Sequence, residues 1–311
     1  MPDPQAGDSA IIHFTKGHGT ANDFVLIADL EARLDLTDTL VRALTDRRTG
    51  IGGDGVIRVV PSAAVDEGRV ILAEEPAADW FMDYRNADGS VAEMCGNGVR
   101  VFAAFLERLG LADLSTGELL VGTRAGVRRV RREPNGWYAA DLGLWSLPGG
   151  ADAAVEGADA EVTVAGLPVT RAALRVDVGN PHTVVALVDE RELAAADLHT
   201  APTVVPEPAS GTNVELVVPI SEHEAAGGPV GRLRMRVFER GVGETRSCGT
   251  GACAAALAAR AWAGAGAPDV WFVDVPGGQL RVSALADGHV ELAGPAILVA
   301  SGEIDLGALL G

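Results

Sequence analysis

Lysine is almost missing from this chain. Of 25 basic residues among 311, Lys16 is the lone lysine and all others are arginine. A pyridoxal phosphate enzyme needs a lysine for its Schiff base, and one lysine between two short strands is weak support for such a site. The deficit itself reads as coding bias. Cysteine is nearly as scarce, with Cys95, Cys248 and Cys253 alone. An odd, small number excludes a disulfide framework and fits a reducing compartment. Long apolar runs are missing too. No stretch approaches the ~18 residues that would span a bilayer, and the run after Gly251 is Ala-rich and carries Arg260. Met1 to Ala10 is acidic with prolines and a glycine, which reads as a short loose tail and not as a leader. The expectation is a cytoplasmic protein with no membrane partner. No Gly-Lys-Ser/Thr occurs, so a Walker A loop is excluded, and no GxGxxG follows a first strand, so no dinucleotide cofactor is indicated. Cys248 and Cys253 with distant histidines do not supply a four-ligand zinc set. The formal charge of −18 argues against a nucleic-acid partner. The one basic cluster, Arg128, Arg129, Arg131 and Arg132, reads as the solvent face of an edge strand. The reading is therefore an unassisted site: no cofactor and no metal.

What is present is apolar and glycine-rich. Hydrophobic residues make up 48% of the chain, enough for two ordinary domains. Ile11 to Phe14 and Phe24 to Ile27 read as strands, and the polar connection Lys16 to Asp23 is too rich in hydrogen-bonding side chains for a simple hairpin. Leu36 to Arg48 has helical periodicity, with Asp35 or Thr37 as N-cap. Val56 to Val60 reads as a strand. Pro61 to Asp79 reads as an irregular loop with one strand near Arg69 to Leu72. Met82 to Tyr84 leads through Asn86-Ala87-Asp88-Gly89-Ser90 to Met94-Cys95-Gly96-Asn97-Gly98. The helix from Val99 to Leu109 is apolar nearly all round, hence buried. Strands follow near 119–121, 126–131 and 137–142, and 147–160 reads as a linker. Beyond it the order returns: strands at 171–178, 183–188, 214–218 and 233–238, with a short helix at 190–198. Then comes Glu239-Arg240-Gly241-Val242-Gly243-Glu244-Thr245 through Cys248-Gly249-Thr250-Gly251 and an apolar helix to about Trp262. Strands at 270–275, 279–283, 289–292 and 297–300 close the chain.

The second half repeats the first. Asn180 follows Asn22 by 158 residues, and Asn213-Val214 follows Gly55-Val56 by the same offset. Glu239 follows Asn86 and Cys248 follows Cys95 by 153 residues each. A slowly drifting offset over matched strands, turns and one buried helix is the mark of a duplicated domain. The fold class expected is α/β (α+β): two pseudo-symmetric domains, each a mixed sheet wrapped around a central buried helix. The first covers 1–141 and carries Cys95; the second covers 142–295 and carries Cys248. Their equivalent loops would face each other across a cleft.

Each of Cys95 and Cys248 stands immediately before a Gly-X-Gly helix start. A helix N-terminus favours a thiolate. Cys253, one turn into its helix, reads as core packing. One thiol from each half suits a two-base racemase or epimerase, in which one removes a proton from a carbon and the other returns one on the opposite face. The amides of Gly96-Asn97 and Gly249-Thr250 could hold a carboxylate and the charge that develops on it. Asn22, Asn86, Asn180, Asn213, His182, Glu239 and Arg240 surround these turns in sequence. Arg240 suits a second carboxylate, and Glu239 an ammonium.

These residues resemble the diaminopimelate epimerase family, from Phe14 to about Gly302. The likeness rests on Gly17-His18-Gly19-Thr20-Ala21-Asn22-Asp23-Phe24, on Asn86 to Ser90, on both cysteine boxes, on Gly179-Asn180-Pro181-His182 and on Glu239 to Thr245. It implies a cofactor-independent enzyme interconverting LL- and meso-2,6-diaminopimelate, for lysine and peptidoglycan precursor synthesis. It implies curved sheets, a homodimer, and a last strand (296–311) that returns to the first domain. By the same resemblance Cys95 and Cys248 are the acid/base thiols, with His182 and Glu239 supporting proton transfer. Asn22, Asn86, Gly96, Asn97, Asn180, Asn213, Glu239, Arg240, Gly249 and Thr250 bind substrate. One departure is Gly55, where many members carry glutamine. Two alternatives stay open: a proline or hydroxyproline racemase of similar architecture, whose members typically carry histidine where this chain has Asn97, and a non-catalytic amino-acid-binding protein.

Overall fold

The structure is a computed structural model describing residues 11–115, 117–225 and 228–311. The reading of Met1 to Ala10 as a tail lies outside the described residues. In chain order the elements are β1 (Ile11–Gly19), β2 (Asn22–Ala28), α1 (Asp38–Thr45), β3 (Gly55–Pro61), α2 (Asp66–Glu74), β4 (Trp80–Asn86), α3 (Gly96–Leu109), β5 (Glu118–Thr123) and β6 (Gly126–Arg132). Then come β7 (Tyr138–Leu144), α4 (Gly150–Glu156), β8 (Ala160–Thr163), β9 (Arg171–Asp177), β10 (Pro181–Ala186), α5 (Glu190–Ala195), β11 (Thr203–Val205), β12 (Asn213–Ala225), β13 (Gly228–Glu239) and β14 (Gly243–Thr245). The chain ends with α6 (Gly249–Ala263), β15 (Val270–Val275), β16 (Gly278–Ala284), β17 (His289–Gly294), β18 (Ile297–Asp305) and α7 (Leu306–Leu310). It divides into two compact units: residues up to Tyr138 together with Ala296–Gly311, and Ala139–Pro295.

Within the first unit the sheet runs β18, β1, β2, β3, β4, β5, β6. Its pairings are antiparallel for β18–β1 and β1–β2, parallel for β2–β3, antiparallel for β3–β4, parallel for β4–β5 and antiparallel for β5–β6. Within the second, β9–β10 is antiparallel, β10–β12 parallel, β12–β13 antiparallel, β13–β15 parallel and β15–β16 antiparallel. The same alternation, found twice, is the duplicated unit that the offsets indicate. Each unit packs its sheet on one helix. In the first, α3 contacts β1, β2, β3, β6 and β18; in the second, α6 contacts β9, β10, β12, β13 and β15 to β17. Both helices are apolar on every side because the sheet bends round them. Val99, Val101, Phe102, Phe105 and Leu106 of α3 are buried, as are Ala252 to Ala259 of α6. Cys253 is fully buried among them. A helix built on alanine lets strands approach closely on all faces, while retaining the best intrinsic helix propensity. Among the described residues no helix is long and apolar enough to cross a membrane.

Three segments differ from the sequence reading. Lys16 to Asp23 is a tight hairpin and not a long connection: β1 and β2 stay paired down to Gly19 and Asn22. Thr20 and Ala21 form its two-residue loop with φ of 51° and 64°. Positive φ at both positions is the twist a two-residue hairpin demands, and non-glycine residues are uncommon there. The polar side chains bond across the hairpin and leave the strands intact; His18 Nδ1, for one, accepts from the Ala21 N–H at 3.3 Å. Pro61 to Asp79 is helical, and no strand forms at Arg69 to Leu72. A 3₁₀ turn covers Ser62–Ala64, and α2 then buries Ile71 beside Val60, Ala78 and Phe81. Two acidic residues in its first turn suit the helix dipole. Likewise 147–160 contains α4, which closes at Gly157 in the left-handed region and belongs to the second unit. The strands β8, β11 and β14 have no counterpart in the sequence reading, and α1 stops at Thr45 instead of Arg48. Thr37 caps its start, and past its end the Asp46 side chain accepts from the Arg48 and Thr49 amides.

The basic cluster on β6 meets carboxylates. Arg129 lies near Glu75 and Glu118, Arg131 near Glu133, and Arg132 near Glu107.

Candidate active site

Both cysteines occupy the same backbone position. Cys95 is the N-cap of α3, with extended φ/ψ, and its sulfur accepts from the Gly98 N–H at 3.3 Å. Cys248 is the N-cap of α6, and its sulfur accepts from the Gly251 N–H at 3.4 Å. An N-cap ordinarily carries a side-chain oxygen from Ser, Thr, Asp or Asn, because that oxygen satisfies one of the four unpaired amides of the first turn. Sulfur is a poorer acceptor as a thiol and a better one as a thiolate. Both helices thus give up some capping for a group that can lose a proton where positive potential is concentrated. The glycines at the third helical position follow from close approach. A Cβ on Gly98 would sit 2.9 Å from Met82 Cε, and one on Gly251 would sit 2.7 Å from Glu215 Oε1 and 3.3 Å from Cys248 Sγ.

Around Cys95 the neighbours are amides. Its Sγ lies 3.5 Å from Asn22 Oδ1, to which Asn97 Nδ2 also donates at 3.3 Å. Asn22 Nδ2 donates to Asp54 Oδ2 at 2.8 Å. Beyond it Arg47 spans Asp23 and Asp54, and Lys16 lies 2.6 Å from Asp23. Burial opposes ionisation of Asp23, yet Arg47 and Lys16 hold its carboxyl far below the usual range. Beneath the helix start Arg100 is fully buried; it donates to Gly96 O at 2.9 Å and to Asn97 Oδ1 at 2.8 Å. Arg100 fixes the Asn97 side chain so that its amide nitrogen faces Asn22. Asn86 donates to Ser90 Oγ at 3.0 Å within its own turn. Gly55 pairs opposite Asn86, and a Cβ there would meet Arg85 O at 2.4 Å and Tyr84 Cε2 at 2.7 Å. No side chain fits at this position, which explains the glycine without a missing ligand.

Around Cys248 the neighbours are acids. Cys248 is 6% exposed, and its Sγ lies 3.6 Å from Thr250 Oγ1. Glu239, at the end of β13, interacts electrostatically with the thiol and accepts from Thr245 Oγ1. Glu215 on β12 and His182 on β10 are both buried, with His182 Nδ1 and Glu215 Oε1 2.7 Å apart. His182 Nε2 lies 3.0 Å from Asn180 Oδ1. Burial pushes the Cys248 thiol well up, and ionisation of Glu239 or Glu215 pushes it further, against the help of Thr250 and the Gly251 amide. Burial also raises Glu239, although Thr245 and Cys248 favour its carboxylate, and Glu215 adds to the rise. Asn213 Oδ1 accepts from the Arg240 N–H at 2.9 Å, so Asn213 shapes the backbone at Arg240. The Arg240 side chain is exposed and reaches the Ser210 carbonyl.

The structure therefore brings Asn22, Asn97 and Cys95 together in one unit, and Asn180, His182, Glu239, Thr250 and Cys248 in the other. Asn86 bonds within its own turn, and Asn213 bonds to the Arg240 backbone. Sequence reasoning missed Glu215, Arg100, Asp54 and Thr245. The signal for Glu215 was legible: a lone carboxylate in the otherwise apolar run Val214-Glu215-Leu216-Val217-Val218. For Arg100 it was a charge inside an apolar helix. Among the described residues no three His, Cys, Asp or Glu side chains converge as a metal-binding set.

A family model, diaminopimelate epimerase, matches residues 14–143 and 174–299. A diaminopimelate epimerase of Streptomyces coelicolor is 47% identical over 304 residues, covering 96% of both chains. One of Thermobifida fusca is 44% identical, covering 96% of this chain and all of that one. Among solved structures, a phenazine biosynthesis protein of the PhzF family from Bacillus anthracis superposes with a TM-score of 0.64 at 14% identity, covering 95% of this chain and 99% of that one. A probable proline racemase from Agrobacterium radiobacter gives 0.60 at 16%, covering 95% and 93%. At such identities the two structures speak for the fold alone.

Proposed function

Since this chain belongs to the diaminopimelate epimerase family, we propose that it interconverts LL- and meso-2,6-diaminopimelate without a cofactor, using Cys95 and Cys248 as a pair of one-proton acid/base groups. The observation that carries the reading is the matched pair of cysteine N-caps on two equivalent buried helices. A proton on the α-carbon of an amino acid is weakly acidic, so its removal needs both a base and a sink for the charge left behind. A thiolate at one helix start takes the proton. The electron pair moves into the adjacent carboxylate, as an enediolate, and the amides at Gly96-Asn97 and Gly249-Thr250 stabilise that charge. The opposite thiol then delivers its proton to the other face of the carbon, and the configuration inverts. Each turnover leaves the two sulfurs with exchanged protonation states, which reset through solvent.

The high position of the Cys248 thiol supports its part as the proton donor of the resting enzyme. Glu239, beside the same sulfur, is suited to relay that proton. Asn22 orients Cys95 once the sulfur carries the proton, by accepting from the thiol at its Oδ1. The carried-over binding set, Asn22, Asn86, Asn180, Asn213, Glu239 and Arg240, serves the ammonium and carboxylate groups, with exposed Arg240 suited to a second carboxylate. The proposal extends to a cytoplasmic homodimer serving lysine and peptidoglycan precursor synthesis.

The test is proton–deuterium exchange at Cα of LL-diaminopimelate in D2O, followed by NMR, with L-proline as control. Deuterium incorporation with appearance of the meso isomer is expected. Exchange on proline alone would assign the chain to the proline racemase chemistry instead, and binding with no exchange would make it an amino-acid-binding protein.

A further inference from the structure

We infer that Glu215 is a neutral carboxylic acid whose O–H donates to His182 Nδ1, and that it is a positioning residue holding His182 as the neutral Nε2–H tautomer beside Cys248. The inference rests on the epimerase reading for its kinetic consequences, but its hydrogen bond can be tested apart from them.

Consider what each atom of the pair can do. Glu215 is fully buried, and its Oε1 lies 2.7 Å from His182 Nδ1. Its Oε2 is buried with no hydrogen-bond partner among the described residues. An ionised carboxylate spreads its charge over both oxygens, so a buried Oε2 that no protein donor reaches is a poor place for that charge. In a carboxylic acid with the proton on Oε1, Oε2 is a carbonyl oxygen and its orphaned lone pairs carry no net charge. The other end of the ring agrees. His182 Nε2 faces Asn180 Oδ1 at 3.0 Å, and a carbonyl oxygen there asks for a proton on Nε2. With Nε2–H donating to Asn180, a neutral ring leaves Nδ1 as an acceptor, and Glu215 is the donor it faces. The Glu215 O–H and the His182 N–H are then both used.

The surroundings weigh the same way. Three elements present titratable groups to Glu215: β10 brings His182, β13 brings Glu239, and α6 brings Cys248. Two of these three are acids, so an anion at Glu215 would be repelled on ionisation of either. The nearest arginine on β13, Arg236, is engaged with Glu244 and with the Leu193 and Ala196 carbonyls. Burial accordingly raises Glu215, against lesser pulls from His182 and from its own backbone N–H. Contact with the thiol's helix is close: the Glu215 Oε1 position is what forbids a Cβ on Gly251, whose amide caps Cys248.

The consequence is electrostatic. Were Glu215 ionised, a thiolate at Cys248 would form against two buried carboxylates, Glu239 and Glu215. A protonated Glu215 removes one of them. It also stops His182 from rotating or taking the wrong tautomer, so the hydrogen bond to Asn180 persists through turnover.

The experiment compares Glu215→Gln and Glu215→Leu with the parent protein. Glutamine reproduces the donor to Nδ1 and the bare second oxygen; leucine removes both. ¹⁵N NMR of His182 should show a protonated Nε2 and a bare Nδ1 in the parent and in Glu215→Gln, and tautomer mixing in Glu215→Leu. Expected kcat/KM falls only a few-fold for Glu215→Gln and roughly 10- to 100-fold for Glu215→Leu, chiefly in kcat, as befits a group acting through another. Two protonated ring nitrogens in the parent, or Glu215→Gln as impaired as Glu215→Leu, would overturn the inference. Parental kcat/KM in Glu215→Leu would overturn it too. If Glu215→Leu fails to fold, the parent spectrum and the Glu215→Gln rates still decide. Failure of Cα exchange would remove the epimerase reading and leave the spectrum standing; an imidazolium spectrum with intact exchange would remove only the role of Glu215.

Discussion

Cys95 and Cys248 share a backbone and differ in everything around it. Each caps a helix, accepts from the amide three residues on, and needs glycine at that position. Cys95 is half-buried among amide side chains over a buried arginine. Cys248 is buried, beside two carboxyl groups. Duplication copied the helix start, because a helix N-terminus favours an anion wherever it occurs. Long-range packing then set the two thiols apart. An enzyme with one proton to donate and one to accept gains from such asymmetry, since two identical thiols would ionise together.

The comparison breaks most visibly if either sulfur is removed. Cys95→Ser and Cys248→Ser should each lower epimerisation about a thousandfold, within the span a positioned acid or base contributes. Calorimetry should show substrate binding largely kept. Retained turnover in both would end the two-thiol reading.

Alkylation should separate the thiols without mutation. Iodoacetamide at pH 8 is expected to label Cys95 at least ~10-fold faster than Cys248, read by peptide mass spectrometry, because the buried thiol is less accessible and held protonated. Equal rates would mean the acidic wall has no effect on Cys248.

Glu239→Gln sharpens that result. A carboxylate beside a thiol raises it, so the amide should bring the Cys248 thiol down and speed its alkylation at pH 8 by about tenfold, roughly one unit of thiol ionisation. Cys95 labelling serves as the internal reference. Turnover should fall even as reactivity rises.

The smallest expected effect is structural. Gly251→Ala should cost about 1–3 kcal/mol by denaturant unfolding, since the new methyl meets the fixed Glu215 oxygen. Gly98→Ala should cost less than ~1 kcal/mol, because it meets the movable end of Met82. The same unfolding measurements carry a pH signature for Glu215. Its raised folded-state value stabilises the fold below about pH 4, where the unfolded chain is protonated too, and that contribution is lost as pH rises through the folded value. Glu215→Gln should therefore gain stability relative to the parent as pH rises; a constant difference would contradict this.

Much of this was legible before any coordinates. Alternating apolar residues marked most strands, and two helices without a polar face had to be buried. Offsets of matched motifs revealed the repeat, and Cys-Gly-X-Gly located both helix starts. The polar hairpin at Thr20-Ala21 was not legible, because the left-handed backbone of two non-glycine residues is imposed by the strands they join. Nor was α2, whose weak periodicity becomes a helix only when Ile71 finds Phe81 and Val60. Of the site, the thiols, the asparagines and His182 could be named from the chain alone. Arg100 and Glu215 were legible only as charges in apolar runs; what each does there was not, because a charge is tolerable there only beside a partner supplied from elsewhere.

The sequence by itself determined the local chemistry: which residues cap which helices, where glycine is required, and that one unit occurs twice. Those follow from contacts between residues close along the chain, where spacing is geometry. Tertiary structure alone decided the electrostatics of each thiol. Glu215, His182 and Glu239 come from three separate strands, and only their convergence makes the Cys248 wall acidic.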